Sequence, residues 1–177
     1  MTFKSLIRTI PNFPKPGIMF RDITPLLASG TGFRQVIHLL ADRYVGKVDK
    51  VVGIEARGFI FGAALAHQIG AGFVPIRKPG KLPGESIGHD YELEYGSGRV
   101  EVHVDGVAKG ERVVVIDDLI ATGGTVLAVL VLVERCGANV VECAFVIDLV
   151  DLPGRKRLEG KGYRVHALCE LTEHDGP

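Results

Sequence analysis

Val113-Val114-Val115-Ile116-Asp117-Asp118-Leu119-Ile120-Ala121-Thr122-Gly123-Gly124-Thr125 changes character twice. Val113 to Ile116 are β-branched and apolar, the pattern of a strand covered on both faces. Asp117 and Asp118 then place two carboxylates at the strand's C-terminal end. Ala121 to Thr125 are small, with two hydroxyls and two glycines. From Val126 an apolar run resumes as far as Val133, before Glu134 and Arg135, long enough for a mostly buried helix. The order is strand, acidic pair, small-residue turn, helix.

That order has a chemical reading. A helix N-terminus carries unpaired N–H groups and a partial positive charge, so it suits an anion. Gly123 and Gly124 let the backbone approach a phosphate, and Thr122 and Thr125 add hydroxyl donors. The carboxylates would repel that phosphate but suit hydroxyls that donate beside it. A turn offering both fits a ribose 5-phosphate. On spacing alone an ordinary strand-to-helix loop with two solvated carboxylates is the alternative. No lysine follows the glycines, which excludes the nucleoside-triphosphate loop, and no G-x-G-x-x-G supports a dinucleotide fingerprint.

The flanking sequence repeats the strand-to-helix switch. Lys50 to Ile54 reads as a short apolar strand running into Glu55-Ala56-Arg57-Gly58-Phe59 and a helix from about 60 to 69. Arg57 there either points into a ligand crevice or pairs with Glu55. Gly72 to Ile76 reads as a third strand, followed by Arg77-Lys78-Pro79-Gly80-Lys81-Leu82-Pro83, the densest cationic cluster of the chain. Such a loop is either simply solvated or a lid over a polyanion. Residues 91–96 and 99–104 alternate and suggest an antiparallel hairpin joined around Gly96-Ser97-Gly98. Residues 140–149 and 163–171 read as further strands, 153–157 as a charged turn, and 173–177 as a frayed end. At the other end, residues 1–10 show an amphipathic helix closed by Pro11, and a second helix is expected over 32–44. The stretch 11–25 is stiffened by prolines yet holds Phe13, Ile18, Met19 and Phe20. It suits a flat surface for a planar ring, or a flap sealing the core. Alternating strands and helices give an α/β fold: a mostly parallel central sheet with helices on both faces and an antiparallel hairpin insertion.

Bulk composition narrows the classes. At 177 residues, one domain spanning 1–177 is expected. Lys plus Arg equals Asp plus Glu at 21 each, so net charge is zero, which opposes a general nucleic-acid or acidic-membrane binder. Cys136, Cys143 and Cys169 are odd in number and lack a C-x-x-C, so a disulfide frame or zinc site is not expected. Small core side chains in a reducing cytoplasm fit them better. No secretory signal or membrane-spanning run is evident.

The stretch from Val113 to Thr125 resembles the phosphoribosyl-pyrophosphate (PRPP) signature of type I phosphoribosyltransferases: four apolar residues, two acids, two variable residues and Ala-Thr-Gly-Gly-Thr. Residues 13–24, Glu55-Ala56-Arg57-Gly58-Phe59, Arg77 to Pro83 and Leu93-Glu94-Tyr95-Gly96 resemble, in order and spacing, the adenine phosphoribosyltransferase family. The resemblance covers nearly the whole chain. It implies transfer of a phosphoribosyl group from PRPP to adenine, giving AMP and pyrophosphate with Mg2+, and a cytoplasmic homodimer.

By position, the resemblance assigns Asp117 and Asp118 to the ribose hydroxyls and Ala121, Thr122, Gly123, Gly124 and Thr125 to the 5-phosphate. Arg57, Lys78 and Lys81 go to pyrophosphate, and Arg77 to the neighbouring subunit's site. It assigns the adenine edge to the Met19–Arg21 backbone, and the two ring faces to Phe20 and Leu149. Residues 11–25 become a hood over the base, and 77–104 a lid. Glu94 is the expected general base, Tyr95 the residue that closes the lid, and Asp118 the anion facing the sugar cation. No direct protein ligand to magnesium is expected. A transferase for another purine or for orotate, and a non-catalytic PRPP-binding regulator, are the alternatives.

Overall fold

The computed structural model describes residues 2–92 and 96–175. A 3-10 turn at Phe3–Leu6 leads into β1 (Arg8–Pro11), which pairs antiparallel with β2 (Met19–Asp22). The short α1 (Thr24–Ala28) and the longer α2 (Gly30–Tyr44) follow, and then the alternation begins: β3 (Lys50–Ile54), α3 (Arg57–Ile69) and β4 (Gly72–Ile76). The hairpin of β5 (Ser86–Glu92) and β6 (Ser97–His103) interrupts it. It resumes with β7 (Arg112–Ile120), α4 (Gly124–Arg135), β8 (Asn139–Leu149), α5 (Gly154–Glu159) and β9 (Val165–Leu171).

The five core strands are all parallel, in the order β4-β3-β7-β8-β9. This is the expected α/β architecture, and the sequence dictates it locally. Val113, Val114, Val115 and Ile116 are all 0% exposed, because helices cover both faces of β7. On one side α4 contributes Val126, Val129, Leu130 and Val133 to the core. On the other, α2 and α3 contribute Val36, Leu40, Phe61 and Leu65. Spacings of three and four residues along each helix put these side chains on one stripe. Chain order reverses between β3 and β7. Open α/β sheets bind ligands outside the C-terminal strand ends at such a switch point.

Four local expectations are corrected. Residues 8–11 are strand rather than helix, because β-branched Thr9 and Ile10 pair with Arg21 and Phe20 and Arg8 bonds Asp22; tertiary pairing overrides an apolar spacing that also fits a helix. The charged stretch at 153–157 opens α5, whose Leu158 is wholly buried. The hairpin's first strand starts at Ser86, before the alternating stretch. The C-terminal end is not frayed through Asp175: Thr172 donates to the Asp175 carboxylate from both its N–H, at 2.6 Å, and its hydroxyl, at 3.1 Å. All three cysteines are free thiols, Cys143 buried and the others half-buried. Among the described residues, no helix is long and apolar enough to cross a membrane.

Candidate active site

β7 runs further than its apolar residues suggest. It continues through the acid pair to Ile120, with Asp117 in register with Phe145 of β8. The carboxylates therefore sit on a rigid strand rather than a loop. Asp118 is 3% exposed, and its Oδ2 lies 2.5 Å from Nε of Arg57, the first residue of α3. Arg57 thus pairs across the switch point and not with Glu55. Asp117 turns its Oδ1 to accept the Asp118 N–H at 2.8 Å. Burial and the adjacent Asp118 charge push the Asp117 carboxyl well up from the ordinary range. Burial also raises Asp118, with the Arg57 guanidinium opposing it. A half-buried and a buried carboxylate side by side suit partners that donate hydrogen bonds, and a sugar diol is one.

The small-residue turn follows directly. Gly123 caps α4 at φ +80°, a left-handed conformation that favours glycine. Arg57 and residues 117–126 line a cavity of about 160 Å³ at this turn. The turn is braced from behind by α5. The Gly154 N–H donates to the Ala121 carbonyl at 2.8 Å, and Arg157 Nη1 to the Thr122 carbonyl at 2.6 Å. Above it, Tyr91 of β5 accepts from the Thr125 hydroxyl at 3.2 Å. The hairpin end therefore lies over the turn. Glu94 and Tyr95 themselves lie outside the described residues.

The α3 side of the turn leaves no room. A Cβ on Gly58 would lie 2.8 Å from the Ile116 carbonyl oxygen and 2.9 Å from Asp117 Oδ1. Gly58→Ala should displace Asp117 or the strand, costing about 1–3 kcal/mol of stability. Thermal unfolding checks it; a wild-type midpoint would show that the turn has slack.

The cationic loop joins the same rim. Glu55, two residues before Arg57, accepts the Lys78 N–H at 2.8 Å and faces Arg77 Nε at 3.3 Å. These contacts, the Lys78 N–H first, hold the Glu55 carboxyl below the usual range. Arg77 also donates to the Lys81 carbonyl at 3.1 Å, so its side chain is engaged within this chain. Lys78 and Lys81 are exposed.

A second cavity, of about 300 Å³, adjoins the first; Ala121 lines both. It is lined by Ile18, Met19, Leu149, Leu152 and Leu171, with Arg21, Thr172 and Glu173 among its polar members. Of the residues expected around a base, Met19, Arg21 and Leu149 line it and Phe20 does not. The Phe20 ring instead lies beneath the Arg57 guanidinium, 5.5 Å from its centroid, and packs edge-on against Phe13 at 5.1 Å. A larger hollow of about 630 Å³ opens between Lys4, Arg8 and Arg21; the acid pair does not line it.

Residues 23–166 match the model of the phosphoribosyl transferase domain family. An adenine phosphoribosyltransferase from Methylobacillus flagellatus is 57% identical over 176 residues, covering 99% of this chain and all of that one. The chain belongs to the adenine phosphoribosyltransferase family. Among solved members, the Thermoanaerobacter pseudethanolicus enzyme superposes with a TM-score of 0.91 at 49% identity, covering 96% of this chain and 98% of that one. The Saccharomyces cerevisiae member, solved with adenine and an imino-altritol bisphosphate, superposes at 0.88 with 41% identity, covering 94% and 96%.

In this family member, sequence reasoning passed over Gly154 and Arg157, which brace the turn at Ala121 and Thr122. The signal was present as a Pro-Gly followed by three cations, but their partners are main-chain carbonyls, which leave no mark in sequence. Among the described residues no three His, Cys, Asp or Glu side chains are grouped to hold a metal. With one carboxylate paired to Arg57, the donor set fits a magnesium ion carried mainly by substrate oxygens and water.

Proposed function

We propose how this chain carries out its transfer. The 5-phosphoribosyl group of PRPP passes to adenine, giving AMP and pyrophosphate, in purine salvage. The observation that carries the reading is the pair of cavities sharing Ala121. One offers an anion-binding turn beside two carboxylates, and the other an apolar slot wide enough for a planar base. Ala121 to Thr125 hold the 5-phosphate, and Asp117 and Asp118 the ribose hydroxyls. Met19, Arg21 and Leu149 border the adenine. Phe20 reaches the ring's other face if the 13–18 loop moves inward when the base enters.

N9 of adenine attacks C1 of the ribose as the C1–O bond to pyrophosphate breaks, and the bond's electrons leave with pyrophosphate. Positive charge grows on the sugar, where Asp118 faces it. Arg57, Lys78 and Lys81 offset the charge on the leaving group. The N9 proton passes to Glu94. Tyr95 and the cationic loop close over the site and exclude water, which would otherwise hydrolyse PRPP. Magnesium, when bound with PRPP, adds further positive charge at the pyrophosphate oxygens.

The active form is a cytoplasmic homodimer in this proposal, with Arg77 leaving Glu55 to reach the partner's site. Zero net charge and the exposed Leu39 and Ile60 favour self-association. Adenine, hypoxanthine, guanine and orotate offered separately with PRPP test the base. Turnover of hypoxanthine with none of adenine would overturn the assignment.

Replacing Lys78 and Lys81 together by alanine should weaken pyrophosphate binding by about tenfold or more and leave AMP affinity within about threefold. Both side chains are exposed, so the fold has little stake in them. Unchanged pyrophosphate affinity in calorimetry would remove the lid role.

A further inference from the structure

The turn after β9 is built into the base cavity: Leu171, Thr172 and Glu173 all line it. It closes on itself through the Asp175 carboxylate, which accepts from Thr172, and through the Asp175 N–H, which donates back to the Thr172 carbonyl at 3.1 Å. Asp151, Arg21 and Thr9, all outside the turn, then hold it. The Glu173 N–H donates to Asp151 at 2.6 Å. Arg21, only 3% exposed, donates from Nη1 to the Asp175 carbonyl at 2.5 Å and from Nη2 to the Thr172 carbonyl at 2.6 Å. Thr9 completes the knot, accepting from Arg21 and donating to the Asp175 carbonyl at 3.2 Å.

A buried guanidinium held by main-chain carbonyls and a hydroxyl, with its Nε left without a hydrogen-bond partner among the described residues, is a costly way to hold the Thr172–Asp175 turn. Its geometry gives it a use. The planar fork matches two carbonyls of one turn and fixes that turn's distance from β2. β2 carries Met19 and Arg21, which line the cavity, and the turn contributes Thr172 and Glu173 to the same lining. Arg21 therefore sets the spacing between them.

We propose that Arg21 is a positioning residue for the base: its side chain latches the Thr172–Asp175 turn against β2, and the latched turn shapes the slot that adenine enters. This rests on the function proposed above and adds a side-chain role to a residue otherwise expected to act through its backbone. Among the described residues no hydrogen bond or ion pair joins the latch to the 121–125 turn or the acid pair, so its loss should fall mainly on the base.

Two variants test it. Arg21→Gln removes the fork. Truncation after Glu173 removes the Asp175 carbonyl and carboxylate but keeps every residue that lines the cavity. Each should raise the KM for adenine by about tenfold or more with the KM for PRPP within about twofold, and Arg21→Lys should recover part of the loss. Parallel rises in both constants, or an adenine KM within twofold of wild type in a folded truncation, would overturn the proposal. Hydrogen exchange at the Glu173 amide reads the latch without catalysis, and in Arg21→Gln it should speed up at least tenfold; unchanged exchange overturns the latch. Absence of adenine turnover by the unsubstituted chain would instead count against the function and leave the exchange result standing.

Discussion

Glu94→Gln should lower kcat by about two to four orders of magnitude while leaving PRPP affinity within about threefold. Adenine must give up its N9 proton as the glycosidic bond forms. A glutamine of nearly the same shape accepts no proton, yet it removes no cation from the phosphates. The placement supports the role: Tyr91 and Glu92, just before Glu94, lie over the phosphate turn. Tyr91 accepts from Thr125, and a Cβ on Gly124 would lie 3.5 Å from the Glu92 carbonyl oxygen. Single-turnover rates and PRPP titrations separate the two quantities. Equal losses in both would move the base role to another group.

Asp118→Asn should lower kcat/KM for PRPP by about two to three orders of magnitude. The substitution keeps the shape and removes the negative charge proposed to face the developing sugar cation. It also strips Arg57 of its ion pair, which loosens the guanidinium expected to meet pyrophosphate. The pH profile carries a second signature. Burial raises the Asp118 carboxyl despite Arg57, so below that raised pKa the carboxylate is neutral and the sugar contact is lost. The acid limb of kcat/KM should therefore lie above the usual aspartate range, and Asp118→Asn should flatten it. Persistence of the same limb in the variant would assign it to a different group.

Much of this site was legible in the sequence because its parts are local. Strand, acid pair, glycines and helix are consecutive from Val113 to Arg135, so periodicity and turn chemistry locate them. The parallel sheet then follows from alternation, and the shared rim from parallelism. Non-local parts were not legible. Whether Arg57 pointed into a ligand crevice or paired with Glu55 was open, and its pairing with Asp118 was out of reach because it needs β3 beside β7. Residues 8–11 read as helix because an apolar spacing over ten residues cannot register a partner strand eleven positions away. The bracing by Arg157 and the latch by Arg21 act on carbonyls, which every residue carries.

A structure of the chain with AMP bound tests the central placement most directly. The expected result puts the 5-phosphate against the amides of residues 122–125 and the ribose hydroxyls on Asp117 and Asp118. The base then lies between Phe20 and Leu149, with Met19 and the Thr172–Asp175 turn at its border. A phosphate bound in the hollow by Lys4 and Arg8, or carboxylates turned away from the sugar, would contradict it.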